Sequence, residues 1–134
     1  MRTHSLTGPL AALVVIHFLV AGVHGMAHGA AQVGLSLPAL AFVIVVIQLG
    51  PLAGLALMRA QLRIGAAIVA VSMAGAFLFG VVNHFMLPGA DHVMSVDAHW
   101  RPLFGSTAVV LAITEAGAAI VGTVAALRYE RSPS

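Results

Sequence analysis

The chain has 134 residues, 60% hydrophobic and 7% charged, where an ordinary soluble domain has roughly 45–50% and about 25%. Six arginines and four acids cannot cover a water-soluble surface of this size, and a net charge of +2 with no basic cluster argues against DNA or RNA as partners. With no cysteine, disulfides, iron–sulfur clusters, thiolate metal sites and c-type haem are excluded; with no lysine, so are Schiff-base cofactors and a P-loop.

Four apolar stretches, at about 10–28, 37–58, 64–87 and 103–127, each reach the roughly 20 residues that cross ~30 Å of hydrocarbon. The first carries His17, His24 and His28. At about 100° per residue, their offsets of seven and eleven return to within about 20° of one direction, so the three share a face. His24 and His28, at i and i+4, can hold one metal as the two histidines of HExxH do. The glutamate of that motif is absent, which excludes a zincin-type protease. Residues 1–30 also admit reading as a cleaved signal peptide, with Arg2 in its basic region and Ala27-His28-Gly29 near the cleavage site. A histidine in the apolar centre and the length of the stretch favour a retained span.

A turn over residues 29–36 leads through Pro38 to the second stretch, which bears Gln48. Arg59 and Arg63 mark the next turn. The third stretch carries Ser72 and, near its end, Asn83-His84. The loop from Pro88 to Pro102 is the longest and holds Asp91, His92, Asp97, His99 and Trp100. The fourth stretch places Glu115 among Ala108, Ala112, Ala119 and Gly122, a face suited to helix contact. Gly25-xxx-Gly29, Gly50-xxx-Gly54 and the small residues around 116–119 allow close backbone approach. Each half pairs a histidine-bearing helix with one carrying a mid-span polar residue, Gln48 or Glu115, a likeness too weak to make a repeat.

Because only intrahelical pairing satisfies the backbone in lipid, the expected fold is all-α. It is an integral membrane four-helix antiparallel bundle, one domain over 1–134, multi-pass in the cell membrane. Arg2, Arg59, Arg63, Arg128 and Arg131 fall on one side and Arg101 on the other, which puts both termini in the cytoplasm.

This threading brings His24, His28 and His84 to one depth at the extracytoplasmic end, where His92, His99 and Asp91 can fold over them. These six are the expected metal ligands. Imidazoles suit copper, zinc or iron; Met26, Met86 and Met94 would add affinity for Cu(I), and aspartates ligate or orient a histidine. Haem b is the lesser expectation, with His24 and His84 as its axial pair. His4 and each loop histidine taken singly are expected to meet water.

His17 lies about 16 Å below His28, and Glu115 about 18 Å below Leu103, so the two meet near the midplane with Gln48 and Ser72 in the same slab. An ionised carboxylate there costs at least ~2.5–3.5 kcal/mol on insertion scales. Glu115 should stay protonated or find a cation, with His17 the candidate. The pair can serve as a register-fixing hydrogen bond, as a proton relay or quinone contact, or as a deep metal or haem ligand.

The expected function is metal handling or redox chemistry at a histidine site. The alternatives are a structural or assembly subunit of a larger membrane complex, or haem b electron transfer. Transport ranks lower, because few polar groups besides Ser72 and Thr123 continue a path toward the cytoplasm. A three-histidine metal with an open position can also activate water or dioxygen. Beside lipid, a second copy or other membrane subunits are the expected partners.

Overall fold

The computed structural model describes residues 6–129, among which every regular element is helical and none is a strand. Four long helices result: α1 (Thr7–Ala30), α2 (Leu37–Leu57), α3 (Leu62–Met86) and α4 (Arg101–Tyr129). Each is long and apolar enough to cross a membrane. Their outward faces agree with that reading: Leu19, Val71 and Ile120 are 68%, 73% and 65% exposed, apolar surface on a scale that a water-soluble monomer avoids. His4, Arg2 and Arg131 lie outside the described residues.

Local chemistry sets the helix ends that matter for the site. At the close of α1, Gln32 adopts a positive φ of 54°. The chain folds back so that the Val33 N–H donates to the His28 carbonyl at 2.9 Å, a left-handed helix end of the usual kind. Ser36 then caps α2 by accepting from the Ala39 N–H, with Pro38 in the first turn.

Two segments depart from α-helical register. In α2, Val43–Leu49 is a π-helix running into Gly50-Pro51. Pro51 has no N–H to give the Ile47 carbonyl four residues earlier, and Gly50 donates to Val45, five residues back. In α3 the last turn, Val82–Met86, is also π-helical and is closed by Leu87 N–H on the Val82 carbonyl at 2.8 Å. Such widened turns are commonly found at functional sites.

α4 packs along both α3 and α1, and α3 packs on α2 as well. α1 touches α2 at Gly50–Leu57 but only sparsely along Leu37–Leu49. The helices therefore form an arc, α1–α4–α3–α2, tight at one end and parted at the other. The tight end holds a core of Leu10, Val14, Met58, Ala66, Val69, Met73, Ala118 and Ala125. There the glycines work as spacing predicts for Gly50 and Gly54: a Cβ on Gly50 would strike Ser72, and one on Gly54 would strike Val69 and the Gly65 backbone. Gly25 and Gly29 differ, since a Cβ on either meets nothing within 4 Å. The expected close approach there is absent. Spacing says which residues are small, but it cannot say whether a neighbour faces them.

Candidate metal centre

α1 presents His24 and His28 one turn apart, and the π turn of α3 presents His84, which is 6% exposed. One ring nitrogen from each histidine lies within 4.8 Å of the other two. The buried Phe104 ring of α4 backs all three, with centroids 4.8 Å from His24, 4.8 Å from His28 and 5.2 Å from His84.

Hydrogen bonding fixes which nitrogens are available. The single Thr107 hydroxyl proton is directed to the carbonyls of Leu103 (2.7 Å) and Phe104 (3.0 Å), so the oxygen accepts from His24 Nδ1–H at 2.8 Å. His28 Nδ1–H donates to the Val33 carbonyl at 3.2 Å, within reach because of the Gln32 turn. His84 Nδ1–H donates to the Asp91 carbonyl at 3.1 Å. With the three Nδ1 positions so engaged, the neutral form of each ring keeps its lone pair on Nε2.

His24 Nε2 and His84 Nε2 stand 3.2 Å apart. A proton on one of the two, or a metal ion shared by both lone pairs, accounts for that approach. Nitrogens each ~2.0–2.1 Å from one tetrahedral ion are separated by about 3.3 Å, so the spacing matches a shared metal. Histidine ligands that donate their second N–H to a fixed acceptor are the normal arrangement in metal sites.

Asp91 completes the polar wall. Its Oδ1 lies 3.3 Å from His28 Nε2 and 3.3 Å from His84 Nδ1, off the direction of an aligned hydrogen bond and without another donor among the described residues. Burial would raise the Asp91 carboxyl; the contact with His84, and the charge the nearby imidazoles carry in their protonated form, outweigh it and hold the group below the ordinary carboxylate range.

The other loop histidines stand apart. His92 Nδ1 accepts from the Met94 N–H at 3.2 Å. His99 is exposed and edge-on to Trp100, 4.9 Å between centroids. Met26, Met86 and Met94 are all exposed. Arg101 spends its guanidinium on the Val96 and Met94 carbonyls, at 3.0 and 3.3 Å, and so ties the loop to the head of α4.

Beneath the three rings lies a cavity of about 350 Å³ that reaches His17, Gln48 and Glu115. His17 Nδ1 is 3.4 Å from Glu115 Oε1, both side chains being buried. Ser72 instead packs toward Gly50. Sequence reasoning missed Thr107 and Phe104. Spacing offered one weak signal for them: they sit one turn apart on α4, at the depth of His24.

No protein family, curated protein or solved structure matches the chain, so its chemistry is read from this geometry.

Proposed function

We propose that the protein is a multi-pass cell-membrane protein that binds one transition-metal ion at its extracytoplasmic end, on His24, His28 and His84. The single observation that carries this reading is the convergence of three imidazoles, one ring nitrogen of each within 4.8 Å of the other two, with each Nδ1 at a hydrogen-bonding partner. In this reading the four spans alternate in direction with both termini cytoplasmic. Arg59, Arg63 and Arg128 then sit inside, and Arg101, the exception, has its charge engaged by loop carbonyls.

Asp91 orients His84 and neutralises the ion, leaving a fourth position open toward the cavity, as in catalytic rather than structural sites. Nitrogen with carboxylate suits divalent zinc, copper or iron, and the exposed methionines give no thioether preference for Cu(I). Redox turnover or metal handling at that position is the role we assign, with His17 and Glu115 as a proton-linked pair below it. Haem is disfavoured: His24 and His84 meet edge to face at 4.9 Å between centroids, which leaves no slot for a macrocycle.

The test is elemental analysis of detergent-purified protein lacking a polyhistidine tag. We expect about one ion per chain, retained in His92→Ala/His99→Ala and lost in His24→Ala/His84→Ala. Full occupancy in the latter variant would overturn the assignment.

A further inference from the structure

The cavity has a polar group at each end and apolar walls between. At the inner end His17 is fully buried, and neither of its ring nitrogens has an aligned hydrogen bond among the described residues. Its polar neighbours, the Ile47 carbonyl and Glu115, give it no aligned bond, and a buried polar atom left without one costs about 1–3 kcal/mol, so the ring keeps hydrogen-bonding capacity for a ligand. Glu115 Oε1 lies 3.4 Å from that ring. At the outer end the same space reaches His24, His28, His84 and Asp91. Ala21, Ile47, Ala76 and Phe79 form part of the wall between them.

The arc of helices sets how a ligand arrives. α1 and the Leu37–Leu49 part of α2 pack only sparsely, and the cavity is bounded there by Ala21 and Gly25 on one side and Leu40 and Val43 on the other. That gap lies within the apolar length of both helices, so in a membrane it faces hydrocarbon. A ligand entering there is neutral and lipid-soluble. A fatty acid or alcohol is polar at one end only and would leave the other end of the cavity unmatched. His17 and His24 are two turns apart, about 10 Å. One flat ring with an oxygen at each end, and a hydrogen bond of about 2.8 Å beyond each oxygen, spans that length.

We propose that this cavity binds a lipid-soluble para-quinone or its quinol. One ring oxygen sits on His17 and Glu115, the other faces the histidine cluster, and the tail leaves between α1 and α2. The volume of about 350 Å³ lies within the roughly 300–1,000 Å³ typical of small-molecule sites. A quinol hydroxyl can donate to an Nε2 lone pair of the cluster, so binding of the reduced form does not require the metal.

A decyl-tailed benzoquinol, kept reduced under argon, titrated into metal-stripped protein in phosphatidylcholine nanodiscs, against empty nanodiscs, tests this. The expected result is saturation near one per chain. His17→Leu and Glu115→Leu should each weaken binding about tenfold, the loss of one buried hydrogen bond. Glu115→Gln, which keeps a polar group in place, should retain most of it. Ala112→Phe fills the cavity wall and should abolish binding; if that variant does not fold, the two leucine variants decide. Uptake equal to that of empty nanodiscs, a dissociation constant unchanged in both leucine variants, or equal displacement by decanol would overturn the proposal. Metal uptake by the wild-type protein separates the two readings: protein that takes up the metal but no quinol strikes this inference alone, and protein that binds the quinol but takes up no metal strikes the metal site alone.

Discussion

At one end of the molecule α2 and α3 approach until backbone meets backbone, with Gly54 against Val69 and Gly65 against Met58. At the other end the same helices carry π turns, and rings rather than methyl groups stand between neighbours. In lipid there is no hydrophobic force to pull helices together, so association rests on close packing and polar contacts. The tight end supplies the first, and that frees the parted end to hold a cavity and a cluster of imidazoles.

The contrast can be broken most severely at the tight end. Gly65→Leu drives a side chain into the Met58 and Gly54 backbones. Overpacking typically costs ~1–3 kcal/mol, and more where backbone must move. A large fall in detergent melting temperature is expected, whereas Gly25→Leu, with nothing within 4 Å of its Cβ, should melt close to wild type. Equal destabilisation by the two would erase the distinction.

An intermediate effect is expected at Thr107. Thr107→Val removes the acceptor that holds His24 Nδ1–H, and loss of such a partner typically weakens metal binding by about 10–100-fold. Competition with a chromogenic chelator measures this, and melting should be little changed. An affinity within twofold of wild type would mean that His24 does not ligate through Nε2.

The smallest effect belongs to Asp91. Its carboxyl is held below the ordinary range, so its ionised form favours the folded state at neutral pH. That contribution is present above the ordinary value near ~3.9 and fades as pH falls through the lower folded value. In metal-free protein Asp91→Asn should therefore cost under about 1 kcal/mol at pH 7, and the gap to wild type should close below about pH 4. A gap that widens with acid would reverse the sign argued here.

Much of the helical frame was legible because length and hydropathy alone define a stretch that can cross a bilayer. The four apolar stretches correspond to four helices whose ends differ by a few residues. The approach of His24, His28 and His84 was legible from the i, i+4 spacing on one helix and from depth counting on another. His17 and Glu115 met for the same reason, at 3.4 Å. The loop was not legible in this way: His92 and His99 are governed by local turns, one bonded to Met94 and the other set against Trp100. Nor was Thr107, because a helical threonine bonded to the preceding turn looks alike in sequence whether or not an imidazole leans on its oxygen. The π segments depend on which donor each carbonyl finds in the folded chain, and of them only Pro51 left a trace.

The three imidazoles come from α1 and α3, helices whose backbones otherwise approach each other little. An ion held between them would act as a rivet across the arc, adding about 2.7 kcal/mol of stability at a hundredfold excess over its dissociation constant. It would also keep time during synthesis. The first two helices emerge with two imidazoles, and the third nitrogen arrives only when the next span is seated, so loading of the ion would mark a chain whose insertion has reached that stage.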